Sequence, residues 1–99
     1  MFARVAVYEI PGPRAEEAVG SFREAIGKIS EMNGLSDVYV LISPESDRAL
    51  TMSLWHSQAD MEASRIKATG LRSEAAKVVD GSVQSVVEYE VAVHQRIGS

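Results

Sequence analysis

Few side chains in this 99-residue chain could take part in chemistry: two histidines, one tryptophan, three tyrosines and no cysteine. His56 directly follows Trp55. An unperturbed imidazole titrates near neutrality and could take a proton from a phenol. Alternation puts His56 on the row opposite Trp55, so the competing reading is a surface or helix-capping residue. His94 lies close to the chain end. No His-x-x-x-His or comparable spacing occurs, and no metal site is expected. Without cysteine there is no thiol nucleophile, disulfide or zinc ribbon. Trp55 stands where a strand-like run meets the next helix. There it either packs over the sheet edge or forms a pocket wall that stacks on a flat substrate.

A second constellation comes from alternation. Arg4, Ala6 and Tyr8 share one row, and Tyr39, Thr51, Ser53 and Trp55 form comparable rows further along. Brought together, they make an apolar, aromatic surface with a few hydroxyls and one cation. That suits a pocket for a planar, weakly acidic ligand, lined by Arg4, Tyr39, Ser53 and Trp55. It suits a sheet-to-sheet interface equally well, because periodicity says which residues share a face and not which face the helices cover. Glu88 and Glu90 share a row that reads as solvent-facing, with nothing identified opposite them to form an acid/base pair. The glycines form no phosphate-cradling loop, and no Gly-x-Ser-x-Gly, P-loop or dinucleotide fingerprint is present.

The elements that must position these groups follow from the pattern. Phe2 to Ile10 reads as a strand with both faces largely covered. Pro11, Gly12 and Pro13 break it, and Pro13 suits a first helical turn. Apolar residues from Ala15 to Ile29 recur at three- and four-residue intervals against a charged side, an amphipathic helix closed by Asn33 and Gly34. Ser36 to Ser43 and Ala49 to His56 read as strands joined by a four- or five-residue hairpin loop. Ser57 and Asp60 form a capping-box-like start to a second helix. Its pattern is interrupted around Thr69 and Gly70, predicting two short helices or one kinked one, and Asp80-Gly81 ends it. The last strand begins at Val83, with Val83, Ser85, Val87, Tyr89, Val91 and Val93 on one row, and the tail from Arg96 to Ser99 is expected to fray. Two helices over a four-stranded antiparallel sheet, in βαββαβ order, give a ferredoxin-like α+β fold.

Composition bounds the partners. Ten basic residues against 14 acidic ones, net charge −4, are scattered, which argues against nucleic acid. No run has the length of a membrane span, and no signal-peptide pattern follows Met1, so a cytoplasmic location is expected. A chain this short has room for one domain, and without disulfides it needs tight packing or a second subunit. Helices can cover one sheet face only, yet apolar residues stand on both rows: Val5 and Val7 with Tyr8, Val38 and Val40 with Leu41, Leu54 with Trp55. A homodimer packed through that second face, carrying residues from Phe2 or Val5 through Val91 or Val93, is the expected assembly.

Asn33-Gly34-Leu35 followed by Val38-Tyr39-Val40-Leu41, Leu54-Trp55-His56-Ser57 entering Met61-Glu62-Ala63-Ser64, and Val86-Val87-Glu88-Tyr89-Glu90-Val91 resemble the dimeric α+β barrel superfamily, and within it the antibiotic-biosynthesis-monooxygenase-like (ABM-like) domains. The resemblance spans residues 2 to 94, placing the whole chain, 1–99, in one such domain. It implies a monooxygenase with no cofactor, acting on a small phenolic or quinone-like compound whose anion itself reduces dioxygen. Tyr8 and His56 would be the candidate catalytic groups, with Arg4 and Trp55 positioning the substrate. The alternative is a non-catalytic dimeric barrel that binds a small aromatic molecule or serves as an interaction module. The heme-degrading branch uses an Asn on the first strand with a Trp and a His on the second helix. Here Asn33 is at a helix end, Trp55 closes a strand, and His56 and His94 are at strand ends, so heme degradation is not expected.

Overall fold

A computed structural model describes residues 1–98. Its elements are β1 (Phe2–Glu9), α1 (Ala15–Ile29), β2 (Leu35–Ser43), β3 (Arg48–Trp55), α2 (Gln58–Ala63), α3 (Arg65–Val78) and β4 (Ser82–Glu90). The four strands form one sheet in the order β2-β3-β1-β4, antiparallel at each junction. This is the ferredoxin-like α+β arrangement: two split β-α-β units interleaved, with the helices on one face.

The helices cover the row of β1 that carries Arg4, Ala6 and Tyr8. Tyr8 and Ile10 are buried among Ala18 and Phe22 of α1 and Ala75, Ala76 and Val79 at the end of α3. Alanine at three of these positions brings the helix backbones close to the sheet, and the large side chains of Tyr8 and Phe22 fill what remains. Their rings meet at 4.8 Å and a 59° tilt, within the favourable range for edge-on aromatic pairs. The other sheet face is formed by the Val5 row. It presents Tyr39 and Leu41 of β2 and Val87 and Tyr89 of β4, each between 43% and 53% exposed.

Four details differ from the sequence pattern. The α1 helix stops at Ile29, short of Asn33 and Gly34. A tight Ile29–Met32 turn follows, and the Ser30 hydroxyl bonds the Gly27 carbonyl. Gly34 instead opens β2 at φ +78°, where the Asp60 side chain would collide with any Cβ. The helical break falls at Ser64 and not at Gly70: Ser64 is buried and its hydroxyl donates to the Met61 carbonyl at 2.6 Å, while Gly70 faces open space inside an unbroken α3. The Val83 row also changes face. Val83 pairs with Tyr8 but Ser85 with Val7, so Gln84 is an extra, bulged residue and Val83 turns onto the helix side while Val87 and Tyr89 face away. Finally, β4 ends at Glu90, because its neighbour β1 begins at Phe2 opposite that residue and beyond Val91 no strand is left to pair with. Val93 therefore lies outside the sheet. Of the tail from Arg96, Ser99 is outside the described residues.

Two other sequence signals hold in the structure. The Ser57 hydroxyl accepts from the Asp60 N–H at 3.1 Å and donates to its carboxylate at 2.9 Å, fixing the start of α2. Between β2 and β3 the chain turns through Pro44–Ser46 and a left-handed Asp47, a four-residue connection.

Candidate functional site

Between the sheet and the helices lies a cavity of about 60 Å³. Its floor is built from the helix-facing rows of three strands: Arg4, Ala6 and Tyr8 from β1, Thr51, Ser53 and Trp55 from β3, and Val38 from β2. Antiparallel register sets this floor, with Arg4 opposite Ser53 and Ala6 opposite Thr51. Phe22, Ala25, Ile26 and Ile29 of α1 and Ala68, Leu71 and Arg72 of α3 form the roof.

The cavity has an apolar body and a polar edge. The Tyr8 and Thr51 hydroxyls are 2.9 Å apart. Burial pushes the Tyr8 phenol above its ordinary value, although the Thr51 hydrogen bond and the nearby Arg72 charge act in the opposite direction. Tyr8 is thus protonated at neutral pH, a hydrogen-bond donor and not a base. Trp55 is fully buried, and its indole N–H donates to the Ser53 hydroxyl at 2.9 Å. The Arg4 guanidinium carbon stands 5.8 Å from the Trp55 ring centroid, a cation–π distance.

Arg4 is held on every side. Its Nε and Nη2 donate to Glu88 at 3.1 and 2.8 Å, Nη1 donates to the Ser64 hydroxyl at 2.9 Å, and Nη2 donates to the Met61 carbonyl at 2.7 Å. The residue is only 3% exposed. Glu88 also pairs with Arg65. The Arg65 and Arg4 hydrogen bonds and charges hold the Glu88 carboxyl down at about 2, outweighing its partial burial. The function of Arg4 in this arrangement is to tie β1, β4 and the α2–α3 junction together. Its charge is already committed.

Arg72 differs. It lines the cavity, is half-buried, and donates from Nη2 to the Thr69 hydroxyl at 3.2 Å. Among the described residues no carboxylate lies within ion-pair distance of it. Burial lowers its pKa from the ordinary value, and Arg4 contributes in the same direction, with Tyr8 and Glu88 opposing. A guanidinium stays charged under such a shift.

Six of the residues singled out by alternation, Arg4, Ala6, Tyr8, Thr51, Ser53 and Trp55, meet in this cavity. Tyr39 and His56 do not. Tyr39 pairs with Met52 and projects from the opposite sheet face, because it sits one residue out of phase with Val38 and Val40. His56 leaves the sheet just after Trp55: its backbone N–H donates to the Gly34 carbonyl at 2.8 Å and its side chain is exposed. Glu88 does not stand alone in a solvent row; its register opposite Arg4 makes it the centre of an ion pair network. Arg72 joins the cavity residues from α3. It lies four residues after Ala68 and four before Ala76, both buried, and that spacing places it on the inward stripe of α3. No group of three or more His, Cys, Asp or Glu side chains placed to hold a metal ion occurs among the described residues. Nor is any helix among them long and apolar enough to cross a membrane.

No family model matches this sequence, and no curated protein matches it. Solved structures do. A candidate antibiotic biosynthesis monooxygenase from Deinococcus radiodurans superposes with a TM-score of 0.76 at 13% identity, covering 100% of both chains. SnoaB, a cofactor-independent oxygenase from Streptomyces nogalater, gives 0.72 at 9% identity, covering 99% of this chain and 97% of that one. MhuD, a heme-degrader from Mycobacterium tuberculosis solved with two hemes in its active site, gives 0.71 at 17% identity, covering 97% and 100%. At such identities the likeness establishes the fold alone: the chain folds as these proteins do.

Proposed function

We propose that the protein is a cofactor-independent monooxygenase acting on a small phenolic or quinone-like compound bound between sheet and helices. The observation that carries this reading is the cavity itself, whose aromatic walls and single polar edge of Tyr8, Thr51 and Arg72 suit a flat ring with one ionisable oxygen. The fold shared with SnoaB supports the reaction class. A volume of about 60 Å³ holds a few waters, so a ring enters as α1 and α3 part. Ala25 and Leu71 line both this cavity and a groove between the two helices, and that is the route inward.

In the proposed reaction the phenol ionises as its proton passes to solvent, favoured by the Arg72 charge and a hydrogen bond from Tyr8. The electron-rich anion reduces dioxygen directly. At an anthrone-type methylene the balance is CH₂ + O₂ → C=O + H₂O: the carbon loses two hydrogens and gains one oxygen atom, the second oxygen leaves as water, and the substrate supplies all the electrons. Trp55 and Phe22 hold the ring in place. Oxygen uptake above the uncatalysed rate is expected with a panel of anthrone-type phenols, and Trp55→Phe is expected to raise KM about three- to tenfold, the scale of one aromatic contact. Uptake at the background rate across the panel contradicts the reaction. Recovery of the phenols bound and unchanged identifies the second reading, a non-catalytic binding module. One observation favours that second reading: the lining of the cavity contains no carboxylate and no imidazole, the side chains that most often serve as general bases.

We also propose that two copies associate through the open sheet face. Tyr39, Leu41, Val87 and Tyr89 stand on it half-exposed around a centre of Val5 and Met52, an apolar surface unlike the charged exterior of the helices. Packing sheet on sheet there leaves the ligand cavity, on the other face, open in each protomer.

A further inference from the structure

Beside the cavity, between α3 and the helix-facing side of β4, lies a cleft of about 390 Å³ lined by Arg4, Arg65, Thr69, Arg72, Val86 and Glu88. Arg4 and Arg72 belong to both spaces and form the wall between them. Three guanidinium groups line this cleft against one carboxylate, with Glu62 3.9 Å from Arg65 Nη2 outside the lining, so the cleft is positive in a chain whose net charge is −4.

The hydrogen bonds show which charges are spent. Both oxygens of Glu88 are taken by Arg4 and Arg65, and Arg4 uses all its donor nitrogens on protein groups. Arg65 bonds through Nε and Nη2 only, and Arg72 through Nη2 only. Among the described residues Nη1 of Arg65 and Nε and Nη1 of Arg72 have no partner. Arg65, Thr69 and Arg72 follow one another at four- and three-residue intervals, one face of α3, so the free donors line the same side of one cleft. Glu88 holds Arg65 in place from across the cleft, which lowers the cost of ordering it around a ligand.

We infer that this cleft is an anion subsite that takes a carboxylate carried by the aromatic ligand of the adjoining cavity. The inference rests on the reading of that cavity as the ligand site, and names the substrate class as aromatic hydroxy acids. The ring lies against Trp55 and Phe22, and the carboxylate passes Arg72 to meet the open donors of Arg72 and Arg65. Paired guanidinium–carboxylate hydrogen bonds of this kind are among the stronger polar contacts.

Calorimetric titration with 2-naphthol and with 6-hydroxy-2-naphthoate tests this on the intact protein. The acid is expected to bind about tenfold or more tightly than the naphthol. Arg65→Gln, an exposed position outside the cavity wall, is expected to remove most of that preference while leaving the naphthol affinity unchanged. Arg72→Lys is expected to retain part of it. Equal affinities for the two probes overturn the subsite while the cavity reading stands. A preference for the acid that survives both Arg65→Gln and Arg72→Gln also overturns it. Failure of both probes to bind overturns the cavity reading, and the subsite with it.

Discussion

Leu41→Asp combined with Val87→Asp is expected to convert a dimer of twice 10.7 kDa into a monomer. The two side chains stand on the outer strands of the open sheet face and are 53% and 43% exposed in the protomer, so a carboxylate at either position meets water as long as the chain is alone. In a face-to-face pair each would be buried without a partner, and a buried unpaired carboxylate costs several kcal/mol. The dissociation constant should therefore rise about a thousandfold or more, since each 1.4 kcal/mol is a factor of about ten. The protomer should keep its helical and strand content, because neither side chain belongs to the core between helices and sheet. Sedimentation equilibrium at micromolar protein is the measurement. A wild-type chain that sediments as a monomer, or a double variant as dimeric as the wild type, contradicts the assembly.

Glu88→Gln is expected to destabilise the fold by about 2 kcal/mol, below the ~3–5 kcal/mol of a fully buried ion pair, because the carboxylate is partly exposed and glutamine keeps one acceptor for Arg4. Arg4 cannot escape to water: it is 3% exposed and pinned by Ser64 and Met61. Its charge would be left facing a neutral amide. The same pair sets an acid limit. Glu88 titrates at about 2 in the folded chain, below the ordinary glutamate value of about 4.3 in the unfolded one. A depressed folded-state pKa means that the unfolded chain takes up the proton first as pH falls. The stabilisation from this group is complete above about pH 4.3 and declines as pH drops toward 2. Urea denaturation of the wild type across that window should show the decline, and in Glu88→Gln that component should be missing. Equal stabilities at pH 7, or parallel acid profiles, contradict the role given to Glu88.

Much of this architecture is legible in the sequence because local chemistry dictates it. Ser57 and Asp60 cap a helix start through their own side chains, the Pro-rich stretches break strands, and the two-residue alternation of β1 and β3 already groups Arg4 with Tyr8 and Ser53 with Trp55. What alternation cannot supply is the side of the sheet on which the helices lie. Type and spacing group Tyr39 with Trp55, yet one residue of phase puts it on the opposite face. The bulge at Gln84 is hidden for a similar reason: Val83 to Val93 alternates without a flaw, and only the pairing of Ser85 with Val7 and Val83 with Tyr8 reveals the extra residue. The break at Ser64 depends on hydrogen bonds that a helical wheel does not contain. Glu88 and Arg4 are 84 residues apart, and nothing local to either announces the pair. Arg72 was accessible in principle, since the spacing from Ala68 to Ala76 marks the inward stripe of α3. A charged residue on that stripe is the signal to follow.

A crystal structure of the protein grown with 2-naphthol shows whether an aromatic ligand binds between the helices and the sheet. The expected result is a ring seated between Phe22 and Trp55, its hydroxyl within hydrogen-bond distance of Tyr8 or Thr51, with α1 and α3 displaced outward to admit it. Naphthol bound on the open sheet face, with the cavity between sheet and helices unfilled, would contradict the account.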